Sequence, residues 1–132
     1  MPKYKYFSKS DFEESDIIRV PCSINDIRPS TLQRFDQARE YAGFPFVVTC
    51  GARTLEHEKS RNRNGFTSHL VDDERGIKCK ALDLRITQPR KRFIATRALM
   101  RAGFTRIGIY PWGLHVDDDE KKPQNVIWHG TH

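Results

Sequence analysis

Two helix-length segments, each opening at a proline and closing at a glycine, constrain the fold of this chain most strongly. Pro29 precedes a Ser-Thr-Leu-Gln capping box, apolar side chains then recur at helical spacing, and Gly43 supplies a stop. This pattern predicts a helix over residues 30–42. Pro89 begins a second segment of the same kind, which ends at Gly103.

Short apolar runs around these two helices predict strands. One run covers residues 44–50 and is rich in β-branched side chains, and a second covers about residues 80–86. Residues 106–110 and 114–117 flank a Pro-Trp-Gly turn and predict a hairpin, and residues 125–128 predict a last strand. Because the helices and strands are segregated rather than strictly alternating, we expect an α+β fold with a small antiparallel sheet and flanking helices.

The length and composition indicate one domain over residues 1–132. A chain of 132 residues is long enough to bury a core of its own, and residues 1–28, which are mixed in character, are expected to form an N-terminal arm packed on it. Cys22, Cys50 and Cys79 are an odd number without a Cys-x-x-Cys pair, so we expect buried free thiols.

The charge and hydropathy limit the classes of partner. The net charge of +6 suits an anionic partner, but the basic residues are scattered and show no nucleic-acid-binding pattern, so no specific nucleic acid is expected. No apolar run approaches the roughly 20 residues of a membrane span, and no signal peptide is evident. We therefore expect a monomer that is cytoplasmic as synthesised.

Three residues have the chemistry of a metal site. His69 and Asp83 frame the central stretch of the chain, and His115 stands downstream in Gly-Leu-His-Val-Asp. Two histidines and one carboxylate leave a fourth zinc position open, which is typical of catalytic rather than structural zinc. The alternative at this stage is that these are three ordinary polar residues of a basic domain.

Four sequence motifs occur in order along the chain: Thr49 to His57, Ser68-His69 with Ala81-Leu-Asp83, Gly103 to Pro111 with His115-Val-Asp117, and Ile127-Trp128. Together they resemble the motifs of the zinc D-alanyl-D-alanine peptidases, most closely the small peptidoglycan-cleaving members of bacteria and their phages. The resemblance extends over about residues 30–128 and implies the fold shared with the hedgehog signalling domain.

The resemblance implies a zinc peptidase that hydrolyses peptidoglycan stem peptides or cross-links by attack of a zinc-activated water. His69, Asp83 and His115 would be the zinc ligands. Arg53 would bind a substrate carboxylate or stabilise the oxyanion, and Ser68 and Trp112 are further candidates for contact with the substrate. Such an enzyme would reach the cell wall by a route that this sequence does not encode.

The sequence departs from the family pattern at two places. Thirteen residues separate His69 from Asp83 where the family has six, which indicates an insertion at residues 71–78 that lengthens an exposed hairpin. Trp112 occupies the position, three residues before the last histidine, where many relatives carry an acidic general base. Asp117 remains, either as that base or as a carboxylate that orients a ligand.

Two other functions are compatible with the same sequence. A zinc-containing domain without hydrolytic activity that binds a cell-wall peptide or a protein partner is favoured by Trp112 in place of the acid. A small nucleic-acid-binding protein is supported by the net charge alone and does not account for the motifs.

Overall fold

The computed structural model describes residues 4–13, 18, 21–60 and 67–131. Parts of the predicted arm and of the loop before Thr67 lie outside these residues. The elements are α1 (Pro29–Ala42), β1 (Val48–Cys50), β2 (Arg53–Thr54), α2 (Leu55–Ser60), β3 (Leu70–Val71), β4 (Ala81–Leu84), α3 (Pro89–Arg101), β5 (Arg106–Tyr110), β6 (Gly113–Asp117) and β7 (Val126–His129), with 3-10 turns at Lys9–Asp11 and Ile24–Asp26. None of the described helices combines the length and the apolar character needed to cross a membrane.

Both predicted helices are present, and only one boundary argument was wrong. α1 begins at Pro29, with Arg28 as its N-cap residue, so the predicted capping box that starts at Ser30 does not form. Proline fits the first helical position because it lacks the N–H that would be unpaired there. The helix ends at Ala42 and Gly43 follows it, as predicted.

The main sheet has five strands in the order β1-β4-β6-β5-β7. Its first three strand pairs are antiparallel, but β7 pairs with β5 in parallel, so the prediction of a purely antiparallel sheet was wrong. The reason is the connection of residues 118–125. This connection passes the N-terminal end of β5, and β7 starts at Val126 opposite Arg106, the first residue of β5. β7 therefore runs in the same direction as β5.

The two faces of this sheet differ in chemistry. Leu82, Leu84, Ile107, Leu114 and Val116 point to one face and belong to the same buried cluster as side chains of α1 and α3. The neighbouring positions along each strand point to the opposite face, because side chains alternate. That second face carries the polar residues described below, so the apolar face holds the helices and leaves the polar face for the site.

The N-terminal arm contributes to the core. Phe7, Phe12 and Ile27 are buried in the main cluster, and the backbone N–H groups of Lys5 and Tyr6 donate to the Asp36 carboxylate of α1. The described part of the arm is therefore packed on the domain.

A tight exposed turn joins β3 to β4, as the sequence predicts for the extra residues. The backbone N–H of Asp72 donates to the carbonyl of Ile77 at 2.9 Å, and the reverse bond measures 2.8 Å. Gly76 has φ of 67°, which favours glycine. Asp73 and Glu74 are exposed, so the turn extends a hairpin into solvent.

Candidate metal centre

One row of residues crosses the whole polar face of the sheet. Cys50 pairs with Asp83, Asp83 with His115, His115 with Gly108, and Gly108 with Trp128. Residues directly opposite one another in paired strands share a face. The strand register alone therefore brings a thiol, a carboxylate, an imidazole and an indole together, although they are up to 78 positions apart in the sequence.

His69 completes the centre from the short segment before β3. Its Nε2 lies 3.1 Å from Asp83 Oδ1 and 3.2 Å from His115 Nδ1, and His115 Nδ1 lies 3.0 Å from the same carboxylate oxygen. Donor atoms of a tetrahedral zinc site with bonds of about 2.0–2.1 Å are about 3.3–3.4 Å apart. The triangle formed by these three atoms is close to the size that one metal ion requires.

Each imidazole is fixed by a hydrogen bond on its far side. His69 Nδ1 lies 2.6 Å from the Gly51 carbonyl oxygen, and His115 Nε2 lies 2.8 Å from Asp117 Oδ2. Because these oxygens only accept, both nitrogens carry the hydrogen, and in the neutral rings the opposite nitrogens present lone pairs to Asp83. Three acceptor atoms at this separation repel one another unless a cation lies between them, either a proton or a metal ion.

The ionisation of the centre follows the same electrostatics. Burial alone would lower the pKa of His69, but the adjacent Asp83 carboxylate outweighs burial and raises that pKa well above its ordinary value. Burial would raise the pKa of Asp83, yet the charge of His69, with the close contacts of both imidazoles, holds that pKa far below its usual range. Without a metal, a proton on His69 balances the carboxylate. A metal ion would displace that proton.

Arg53 enters the centre from β2, the position that the sequence predicts. Its backbone N–H donates to the His69 carbonyl at 2.8 Å, and its Nη2 lies 3.7 Å from Asp83 Oδ2. The side chain is 11% exposed. A planar guanidinium with several donors beside the carboxylate can bind a ligand carboxylate or an oxyanion.

Cys50 is a member of the centre that sequence reasoning missed. Its thiol lies within 4.8 Å of ligand atoms of His69 and Asp83, and all three residues are buried. These residues are close enough to share one metal ion. All three cysteines are free as predicted, and Cys50 and Cys79 are buried, but the prediction of burial was wrong for Cys22, which is half-buried.

The contacts of Asp117 favour the second of the two roles considered for it, the orientation of a ligand. One carboxylate oxygen accepts from His115, while the other accepts from Arg106 Nε at 2.7 Å and from the backbone N–H of Asp119 at 3.1 Å. Burial would raise the pKa of Asp117, but His115 and Arg106 outweigh it and lower that pKa. A carboxylate engaged on both oxygens orients His115 and is poorly suited to take a proton from water.

Ser68 is also placed differently from the prediction. Its side chain is buried, and its hydroxyl donates to Asp119 Oδ2 at 2.9 Å. The predicted contact with the substrate does not fit this burial. Ser68 instead anchors the chain next to His69 to the segment that follows β6.

An aromatic group, consisting of Tyr110, Trp112 and Trp128, borders the centre. The rings of Tyr110 and Trp112 stack at 4.9 Å, and Trp128 Nε1 donates to the Tyr110 hydroxyl at 2.8 Å. The Trp128 ring lies 5.6 Å from that of His115. Trp112, which the sequence predicts to contact substrate, is therefore part of an aromatic surface next to His115, a candidate metal ligand.

Comparisons with known proteins leave the family open. No protein-family model, curated protein or solved structure matches this chain. The fold is α+β with a five-stranded sheet, and the site on its polar face is a cluster of residues able to hold a metal ion.

Proposed function

We propose that this protein is a zinc-dependent peptidase that hydrolyses peptide bonds in the stem peptides or cross-links of peptidoglycan. The observation that carries the proposal is the convergence of His69 Nε2, Asp83 Oδ1 and His115 Nδ1 to within 3.2 Å of one another. The motif resemblance selects the same three residues as zinc ligands without any knowledge of their distances. The two lines of support are therefore independent.

The three donor atoms suit zinc, and neighbouring residues hold the two imidazoles in the orientation that zinc binding requires. Imidazole and carboxylate ligands bind zinc, and three protein ligands are typical of catalytic sites. Zinc held there would supply Lewis-acid activation of a water molecule and of the scissile carbonyl. The Gly51 carbonyl and the Asp117 carboxylate fix the two imidazoles with their lone pairs inward, so little reorganisation accompanies binding.

The groups beside the donors suit a short peptide that carries carboxylates. Arg53 lies next to Asp83 with guanidinium donors available in the geometry that binds carboxylates in pairs. The aromatic group on the other side of His115 offers a flat apolar surface for the peptide. The net charge of +6 favours approach to an anionic cell-wall polymer.

A second candidate function is a zinc-containing domain that binds a cell-wall peptide without cleaving it. Two observations favour it: Trp112 stands where relatives carry an acid, and both oxygens of Asp117 are engaged by His115, Arg106 and Asp119. This candidate predicts the same metal and the same peptide contact but no product.

Digestion of purified peptidoglycan separates the two functions. Zinc-loaded protein, chelator-treated protein and a His69→Ala variant would be incubated with the polymer, and released peptides and new amino groups would be measured by mass spectrometry. A peptidase gives products with zinc alone and regains them when zinc is returned after chelation. Zinc-dependent binding of the peptides without any product would contradict the peptidase and favour the binding domain.

A further inference from the structure

Cys50 and His115 occupy equivalent places on the two sides of Asp83. β4 lies between β1 and β6 in the sheet, and its Asp83 pairs with Cys50 on one side and with His115 on the other. Residues paired in this way present their side chains on the same face. The row therefore offers Asp83 two metal-binding neighbours, an imidazole and a thiol.

The thiol lies near two of the three donors, His69 and Asp83. Cys50 is 1% exposed, and its sulfur lies within 4.8 Å of ligand atoms of His69 and Asp83. In a tetrahedral site, a sulfur at about 2.3 Å and a nitrogen at about 2.0 Å from zinc are about 3.5 Å apart. A shift of the sulfur by about 1 Å, within the range of a small side-chain rotation, would bring it to that separation.

Cys50 hydrogen-bonds to the imidazole of His69, and its contact with the backbone opposes such a rotation weakly. Its sulfur contacts the Gly51 carbonyl oxygen at 3.8 Å, a long contact for a weak donor. Cys79 differs, because its sulfur lies 3.1 Å from the Ala81 carbonyl oxygen. Of these two buried thiols, Cys50 has the longer contact with a carbonyl oxygen and is the one grouped with His69 and Asp83.

We infer that Cys50 is a fourth protein donor to the metal ion held by His69, Asp83 and His115. This inference rests on the metal centre of the proposed function and adds a regulatory consequence to it. On binding, the thiol releases its proton to solvent and the thiolate sulfur forms the bond to the metal. The position that a catalytic zinc site keeps open for water is then occupied until the thiolate leaves.

A thiolate donor also restricts which metal ions the site would bind. Sulfur ligands favour zinc and its borderline or softer relatives, including cobalt(II) and cadmium, whereas oxygen donors suit magnesium, calcium and manganese. We therefore expect Cys50→Ser to lower the affinity for zinc by about tenfold or more, the range found when groups around a metal centre are altered. The affinity for manganese is expected to change far less.

Cobalt(II) is the probe that tests this inference. Full-length protein would be titrated with cobalt(II) and its absorption compared among wild type, Cys50→Ser, and the matched thiol variants Cys22→Ser and Cys79→Ser. We expect visible bands of protein-bound cobalt in all four, and a near-ultraviolet sulfur-to-cobalt charge-transfer band that only Cys50→Ser abolishes. Absence of that band in wild type, or its loss in Cys79→Ser instead, would overturn the inference.

The same titration distinguishes this inference from the proposed function. Visible cobalt bands without a sulfur band would remove Cys50 as a ligand and leave the His69, Asp83 and His115 site intact. A sulfur band in protein that digests no peptidoglycan, even as Cys50→Ser with zinc, would keep the ligand and remove the peptidase. No bound cobalt in any variant would overturn the inference.

Discussion

Arg53 places a positive charge beside the carboxylate of Asp83, a candidate metal ligand. Its Nη2 is 3.7 Å from Asp83 Oδ2, a separation that leaves guanidinium hydrogens for a ligand. We expect Arg53→Ala to keep the metal and the fold while raising the barrier for hydrolysis by about 3–4 kcal/mol, the loss typical of one oxyanion donor. Arg53→Lys should recover little of this, because the paired donor geometry is lost.

Steady-state hydrolysis of a stem peptide, together with metal content, measures this effect. Arg85→Ala is the matched control, because Arg85 is exposed and follows β4 at the surface. If Arg53→Ala hydrolyses the peptide at the same rate as Arg85→Ala, Arg53 takes no part in the reaction.

Asp117 acts on the centre through His115. In Asp117→Asn, the amide would turn its NH₂ group toward either His115 or Arg106, so that one donor faces another. We expect the affinity for zinc to fall by about 10–100-fold, measured by competition with a chromophoric chelator. Asp118→Asn is the control: Asp118 is also buried but is bound to Arg28 and Arg34, so that variant loses stability and keeps its zinc affinity.

At the scale of elements, the close contact of β5 with β7 controls the aromatic group. A Cβ on Gly108 would lie 2.5 Å from indole atoms of Trp128, so the indole must move and its bond to Tyr110 breaks. We expect Gly108→Ala to cost about 1–3 kcal/mol of stability, to shift the tryptophan fluorescence and to raise KM while zinc binding persists. Gly76→Ala, in the exposed turn, is the control. It strains the backbone but meets no atom within 4 Å.

The elements themselves were largely predictable, and their pairing was only partly so. The hairpin turn at Pro111 and Trp112 sets the register of β5 and β6, and counting back from it places Arg106 opposite Asp117. The sequence predicts a three-residue Pro-Trp-Gly turn instead, which would shift this register by one residue, so the partner was missed. The sequence did not predict that β7 pairs with β5 in parallel. A short connection after β6 does not fix which neighbouring strand the next strand will pair with.

The candidate ligands were predictable because the side chains of histidine and aspartate are common metal ligands whatever the surrounding structure. Cys50 was missed because a buried cysteine ordinarily behaves as a small apolar residue. Only the pairing of β1 with β4 brings it beside Asp83. The orienting role of Asp117 likewise depends on distances to three different partners, which strand alternation alone does not give.

At the scale of the whole molecule, the helices support the site from the apolar side of the sheet. Phe35 of α1 and Phe104 have ring centroids 4.4 Å apart, and both side chains are fully buried. We expect Phe35→Ala to lower the free energy of unfolding by about 3–5 kcal/mol, measured by chemical denaturation. The protein that remains folded should keep its metal site, because Phe35 lies in the apolar cluster. Phe93→Ala provides the comparison, since Phe93 is 67% exposed and its loss should cost less than about 0.5 kcal/mol.

The convergence of three acceptor atoms is tested most directly by counting metal ions per chain. Native mass spectrometry of protein purified without chelator and supplied with zinc would be applied to wild type, His115→Ala and His57→Ala, the last being a histidine of α2 outside the donor triangle. We expect one zinc in wild type and in His57→Ala, and weaker retention of zinc by His115→Ala, which loses one of the donor atoms. Wild-type protein without zinc, or His115→Ala that holds zinc as tightly as wild type, would contradict the metal centre.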